Sequence, residues 1–293
     1  MATDPLNGAE NMAESQARVI AVTSGKGGVG KTNLALNLAI ALASRSKRVI
    51  LWDADLGLAN VQVLLRLQPM GTLSDVLAER KSVREILMNT PYGVRVVPGV
   101  SGDEHMANLS THELEVFTEA VSELVEEADF IVIDTGAGIS DSTMDFARVA
   151  DDILVVSTPE PTALVDAYAA IKIAHNRAPW SNVHLVVNMA RDEKEGERAV
   201  LRLRSMAAHY VGHTIIDAGV VLYDNAVGDA VRKREPLVVA YPQSQATASV
   251  WKLAERFLQP LPRWKPDATQ EAAMSPSPGI VARLKAIFTN TAE

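Results

Sequence analysis

From Arg18 onward, short runs of β-branched and other apolar residues recur along the chain, at 19–23, 49–52, 94–97, 130–133, 153–156, 183–187 and 220–222. Within each run the apolar positions are nearly continuous rather than alternating, which predicts parallel strands covered on both faces. Between them lie stretches with helical spacing, at 32–44, 111–126, 163–175, 193–208 and 247–258. Ser110, followed three residues later by Glu113, reads as a capping box opening the second of these helices. Strand–helix alternation with right-handed crossovers predicts an α/β fold: a doubly wound, mainly parallel sheet flanked by helices.

The two ends depart from this pattern. Residues 1–17 are polar, carry Asp4, Glu10 and Glu14, and have neither the basic start nor the apolar run of a secretory signal. They read as a flexible segment ahead of a single domain spanning 18–260. Beyond it, Pro262, Pro266, Pro276 and Pro278 punctuate a polar linker over 261–278. In the last stretch, 279–293, Ile280, Val281, Leu284, Ile287 and Phe288 fall at i, i+1, i+4, i+7 and i+8. That spacing predicts a C-terminal amphipathic helix with all five on one face, and with Arg283 and Lys285 elsewhere on the wheel. Such a helix could pack on the parent domain, but its Pro-rich tether, basic flanks and terminal Phe288 favour shallow insertion into a membrane surface. The longest apolar helical run, 34–43, is too short to cross a bilayer, so a cytoplasmic location is expected.

Composition narrows the chemistry. The 293 residues contain no cysteine, which excludes disulfide scaffolds, thiolate zinc sites, iron–sulfur clusters and cysteine nucleophiles. Twenty-eight Lys and Arg stand against 36 Asp and Glu, a net charge of −8 that argues against DNA as a partner. The strongest chemical signal is Gly25-Lys26-Gly27-Gly28-Val29-Gly30-Lys31-Thr32, which fits G-x-x-x-x-G-K-S/T directly between the first strand and the first helix. Glycines there let backbone N–H groups wrap around phosphate oxygens at a helix N-terminus. Lys31 is placed to reach the β- and γ-phosphates, and the Thr32 hydroxyl to ligate Mg²⁺. The apolar strand 130–133 ends in Asp134, suited to holding Mg²⁺ or its waters, and the second strand ends in Asp53-Ala54-Asp55. Two carboxylate clusters at strand ends and a phosphate loop make a nucleotidase constellation. A guanine site of the usual N-K-x-D kind is missing, since Asn188-Met189-Ala190-Arg191 has neither the Lys nor the Asp, so ATP is the expected nucleotide.

The sequence GKGGVGKT, with its second lysine, resembles the deviant Walker A motif of the MinD/ParA group of ATPases, and the chain is identified as a member of that P-loop NTPase group. The resemblance implies a MinD-like fold, and slow, Mg²⁺-dependent hydrolysis of ATP to ADP and phosphate that serves regulation. It also implies an ATP-bound homodimer, in which Lys26 reaches the nucleotide of the facing subunit. By the same resemblance Asp55 matches the switch I aspartate that positions the attacking water, with Asp53 and Asn60 in that switch. Asp134 to Gly138 becomes switch II, with Gly136 standing where Pro or Ala is usual. Asn188 and Asp224 match adenine-contacting positions, the latter in Gly219-Val220-Val221-Leu222-Tyr223-Asp224, where Leu222 replaces the usual proline.

Within the group, the absent cysteines exclude the cluster-binding branches, and no tyrosine follows Tyr241, unlike the tyrosine autokinases. The stretch from Asp53 to Val61 resembles the switch I of the MinD-like flagellar-number regulators, the FlhG/FleN group. So do Val97-Pro98-Gly99-Val100-Ser101-Gly102 with Ala107-Asn108-Leu109-Ser110, and Ser157-Thr158-Pro159-Glu160-Pro161-Thr162. This resemblance implies control of flagellar number and placement, with a σ54-dependent flagellar transcription activator of the AAA+ type as partner. It also implies cycling to the inner face of the cell membrane through the tail helix. A signal-recognition-type flagellar GTPase is the group's other partner, but the N-terminal DQAxxLR motif that stimulates it is missing from residues 1–17. A ParA-type DNA or cargo partitioning ATPase and a division-site MinD stay open as alternatives.

Overall fold

The computed structural model describes residues 17–55, 60–99, 109–138, 147–210 and 215–260, together with 280, 282 and 283 in the tail. In chain order the elements are β1 (Arg18–Thr23), α1 (Lys31–Ala43), β2 (Val49–Ala54), α2 (Asn60–Leu64), α3 (Leu73–Leu77), α4 (Val83–Ile86), β3 (Met88–Asn89) and β4 (Val94–Val97). There follow α5 (Thr111–Glu127), β5 (Phe130–Thr135), β6 (Asp152–Ser157), α6 (Pro161–Arg177), β7 (Asn182–Ala190), α7 (Glu193–Tyr210), β8 (Ile216–Leu222), α8 (Asn225–Lys233), α9 (Leu237–Ala240) and α10 (Gln245–Leu258). The strands form one sheet in the order β3-β4-β2-β5-β1-β6-β7-β8. Every pairing is parallel except that of β3, a two-residue strand antiparallel to β4 at one edge.

Alternate residues of the central strands serve two separate cores, which is why the runs are continuously apolar. Val19, Ala21, Ile50, Trp52, Ile131 and Ile133 pack on one face with α3 to α7. Ile20, Val22, Leu51, Val132 and Leu154 pack on the other with α1 and α10. Helix α1 is sheathed nearly all round, from Leu34 to Leu42, as befits an apolar helix with no polar face. The Ser110–Glu113 capping box forms, with the Ser110 N–H donating to Glu113 Oε2 at 2.9 Å and the Glu113 N–H to Ser110 Oγ at 3.3 Å.

All seven strands expected from the apolar runs are present, and four of them extend further at the carboxyl end. β2 continues through Asp53 and Ala54, β5 through Asp134 and Thr135, β6 through Ser157, and β7 through Asn188, Met189 and Ala190. Apart from Met189 the added residues are polar or small, so apolar continuity stops short of them. The ladder nevertheless runs on, pairing Asp53 with Asp134 and Ala54 with Thr135. Elements too short to show a period, namely α2, α3, α4, α9 and β3, are not legible as runs, and neither is α8.

Part of the tail departs from the wheel reading. Ile280 is buried within the core cluster on the α3–α7 face of the sheet, and Arg283, expected away from the apolar face, is buried too. Arg283 Nη1 donates to the Val149 carbonyl at 3.0 Å and Nη2 to Asp151 Oδ1 at 2.8 Å, with the guanidinium 6.0 Å from the Trp180 ring centre. Positions i and i+3 share a helix face, and here the domain accepts both the apolar and the charged member. Of the other expected membrane-facing residues, Val281, Leu284, Ile287 and Phe288 lie outside the described residues.

Candidate nucleotide site

The carboxyl edge of the central strands carries every chemically loaded residue of the motifs. β1 delivers the loop 25–30 to the start of α1, with Gly28 and Gly30 at φ of 82° and 87°. At Gly30 a side chain is excluded twice over: the left-handed backbone disfavours it, and a Cβ would stand 2.5 Å from Asn188 Nδ2. Asn188, at the end of β7, donates that amide to the Val29 carbonyl at 2.8 Å and so holds the loop from the side. Gly25 has a different reason for lacking a Cβ, which would lie 2.1 Å from the Asp166 carbonyl of α6.

Lys31, the first residue of α1, is buried, and its Nζ lies 3.8 Å from Asp134 Oδ1. Asp134 is fully buried, and neither of its oxygens has a well-formed hydrogen bond. Burial pushes its pKa up to about 6, against the pull of the Lys31 ammonium and the nearby Thr32 hydroxyl. Beside it in register, Asp53 is also buried and is pushed up to about 7 by burial and by the Asp134 charge, although the Val61 and Asp55 amides donate to it. The buried Asp134 carboxylate, with both oxygens lacking a well-formed hydrogen bond and a lysine and a threonine hydroxyl beside it, forms a donor set that fits a hydrated hard cation such as Mg²⁺.

The switch residues flank this centre. Asp55 follows β2, with Asn60 Nδ2 at 3.5 Å from its Oδ2. In the second switch Gly136 O accepts from Thr135 Oγ1 at 3.2 Å, and Gly138, at φ 98°, donates its N–H to the Ser24 carbonyl at 2.9 Å. Lys26 points outward, its Nζ 3.2 Å from Glu160 Oε2 and 3.3 Å from Thr162 Oγ1 at the N-terminus of α6. Those two partners are 134 and 136 residues distant in sequence, and no spacing rule connects them to the loop.

A cavity of about 310 Å³ opens between the first turn of α1 and the ends of β7 and β8, lined among others by Asn33, Asn188, Leu222, Asp224 and Arg232. Asp224 is in place at its rim, but both oxygens are engaged: Oδ1 accepts the Ala226 N–H at 2.9 Å and Oδ2 the Ala246 N–H at 3.3 Å. The basic run 232–234 is partly spoken for, since Arg232 pairs with Asp229 and Lys233 lies over the Tyr241 ring. Among the described residues no helix is long and apolar enough to cross a membrane.

Fold and site together define a P-loop NTPase, with the phosphate loop between β1 and α1 and acidic residues at the ends of the neighbouring strands. A family model described as "ParA: NUBPL iron-transfer P-loop NTPase" matches residues 15–258, and the chain belongs to this ParA/MinD family of ATPases. The iron-transfer chemistry in that description needs ligands for a cluster, and this chain has no cysteine. Antiactivator FleN of Pseudomonas aeruginosa is 42% identical over 239 residues, covering 82% of this chain and 85% of the relative. The flagellum site-determining protein YlxH of Helicobacter pylori is 36% identical over 208 residues, covering 68% and 70%. Among solved structures, the septum site-determining protein MinD of Pyrococcus horikoshii, complexed with Mg-ADP, superposes with a TM-score of 0.69 at 25% identity, covering 83% of this chain and 96% of that one. The protein is thus an ATPase that works on ATP with Mg²⁺.

Proposed function

We propose that this ATPase is a regulatory switch for flagellar number and placement, acting by restraining a flagellar transcription activator of the AAA+ type. The observation that carries the reading is the match to an antiactivator and to a flagellum site-determining protein over most of the chain, in a molecule where Asn60 reaches Asp55 after the second strand. The backbone amides of 25–30 and the Lys31 ammonium hold the phosphates. Thr32 and Asp134 would hold the metal, which would supply positive charge to offset that of the phosphates. Asp55 orients the attacking water. Asn188 and the rim at Asp224 face the base, and Asp53, Asn60, Gly136 and Gly138 belong to the two switches.

In the ATP state Lys26 leaves Glu160 and Thr162 for the nucleotide of a second copy, giving a homodimer. Each copy then releases its tail, lifting Ile280 and Arg283 from their buried places on the domain, so that two weak interfacial helices act together at the inner face of the cell membrane. Hydrolysis returns the chain to the cytoplasm.

Two measurements test the reading. Counting flagella is the first. A strain lacking the chain should be hyperflagellated, and a strain carrying Asp55→Ala, which binds ATP without turning it over, should show the opposite defect. Wild-type counts in both would end the flagellar assignment. Liposome co-sedimentation is the second. Pelleting should need ATP rather than ADP and should vanish on deletion of 279–293. Equal pelleting in both nucleotides would refute the membrane switch.

A further inference from the structure

Asp53 belongs to switch I, and both oxygens of its carboxylate are engaged by the backbone. Oδ1 accepts the N–H of Asp55 at 3.3 Å, and Oδ2 accepts the N–H of Val61 at 3.0 Å. One carboxylate therefore binds the backbone on both sides of the stretch 56–59. Val61 is the second residue of α2, so its N–H is one of the orphan donors at a helix start. An acceptor eight residues upstream, reaching across from β2, takes the place of a local cap. The group has no room to turn, because it is only 2% exposed and a Cβ on Gly99 would come within 3.0 Å of Asp53 Cγ. The ladder to β5 fixes its height beside Asp134.

We propose that Asp53 is a positioning residue for hydrolysis: its carboxylate clips the two ends of switch I, so that Asp55 is presented at a fixed place relative to Asp134. A carboxylate is suited to the task because each of its two oxygens can take one of the N–H groups. An amide offers only one acceptor oxygen, and alanine none. The proposal rests on the assignment of Asp55 to the attacking water. Misplacing a water-orienting group by about 1 Å costs roughly 10²-fold in rate, while nucleotide binding, which depends on the loop 25–32, is spared.

The test uses the full chain with Asp53→Asn and Asp53→Ala. Asp53→Asn keeps the shape and removes a buried charge beside Asp134, so folding is retained. In Asp53→Ala, amide hydrogen exchange at Val61 should quicken by more than ~10-fold, and kcat should fall by roughly 10²-fold with ATP affinity within about threefold of wild type. Asp53→Asn should fall between, and excess Mg²⁺ should restore neither. Unchanged exchange at Val61 in Asp53→Ala would overturn the proposal. So would recovery of the rate at high Mg²⁺, which would make Asp53 a holder of the metal, or a loss of ATP affinity in step with kcat. Wild-type turnover in Asp55→Ala would overturn the reading of Asp55 alone, and the Val61 amide would still report on the clip.

Discussion

The two edges of the sheet bury carboxylates in opposite ways. At the amino edge, where β1, β6 and β7 begin, Asp152 is 1% exposed and accepts from Arg18 Nε at 2.6 Å, His184 Nε2 at 2.8 Å and Asn182 Nδ2 at 3.2 Å. Burial alone would raise its pKa, but the His184 and Arg18 hydrogen bonds bring it below the ordinary aspartate value. Its neighbour Asp151 accepts the Val19 N–H and the Arg283 guanidinium. At the carboxyl edge, Asp53 and Asp134 sit side by side with their pKa values raised instead. Equal burial thus yields a structural clamp at Asp152, where the lone pairs are filled, and a site under electrostatic tension at Asp134, whose oxygens are left open for a cation.

The comparison breaks most visibly at the clamp. Asp152→Ala leaves His184 and Arg18 without their shared acceptor and should cost about 3–5 kcal/mol in a urea unfolding measurement. Asp134→Asn should do the reverse. Turnover should fall by at least ~10²-fold, while stability stays within about 1 kcal/mol of wild type, because relief of the buried charge is offset by the ion pair that Lys31 loses. If Asp134→Asn destabilised the fold as strongly as Asp152→Ala, the distinction between the edges would be void.

The smallest effect is on pH dependence without Mg²⁺. Asp53 and Asp134 have folded pKa values above the unfolded ones, so they favour the folded state while protonated. Their contribution is full below about pH 4 and is lost as pH rises through about 6 and 7. Asp152 is lowered, so its contribution is present above about pH 4 and is lost as pH falls through its folded value. Asp53→Asn should flatten the decline in stability between pH 5 and 7.5, with denaturant midpoints as the readout, and a slope equal to wild type would contradict the raised value.

How far the sequence reveals the molecule follows the same geography. The apolar runs mark the interior of each strand because those residues face two cores. They end where Asp53, Asp134 and Asn188 carry the strand past the core into the site, so the residues that matter chemically are those where strand periodicity goes silent. The phosphate loop was legible because its spacing is local. The Lys26 contact to Glu160, the Gly25 contact to the Asp166 carbonyl and the clip from Asp53 to Val61 were not, since each is created by bringing distant segments together. Arg283 was misread for a related reason: a helical wheel sorts residues by polarity, whereas a buried guanidinium needs a carbonyl and a carboxylate waiting for it, and the amino edge supplies both.

Asp224 has a consequence of another kind. One side chain at the cavity rim caps α8 through Ala226 and meets the start of α10 through Ala246. Helices whose first residues are Asn225 and Gln245 therefore share a single fastening, and neither can fray at its start without loosening the other. The wall of the cavity behaves as one cooperative unit of local unfolding rather than two, so whatever fills the cavity steadies both helices at once.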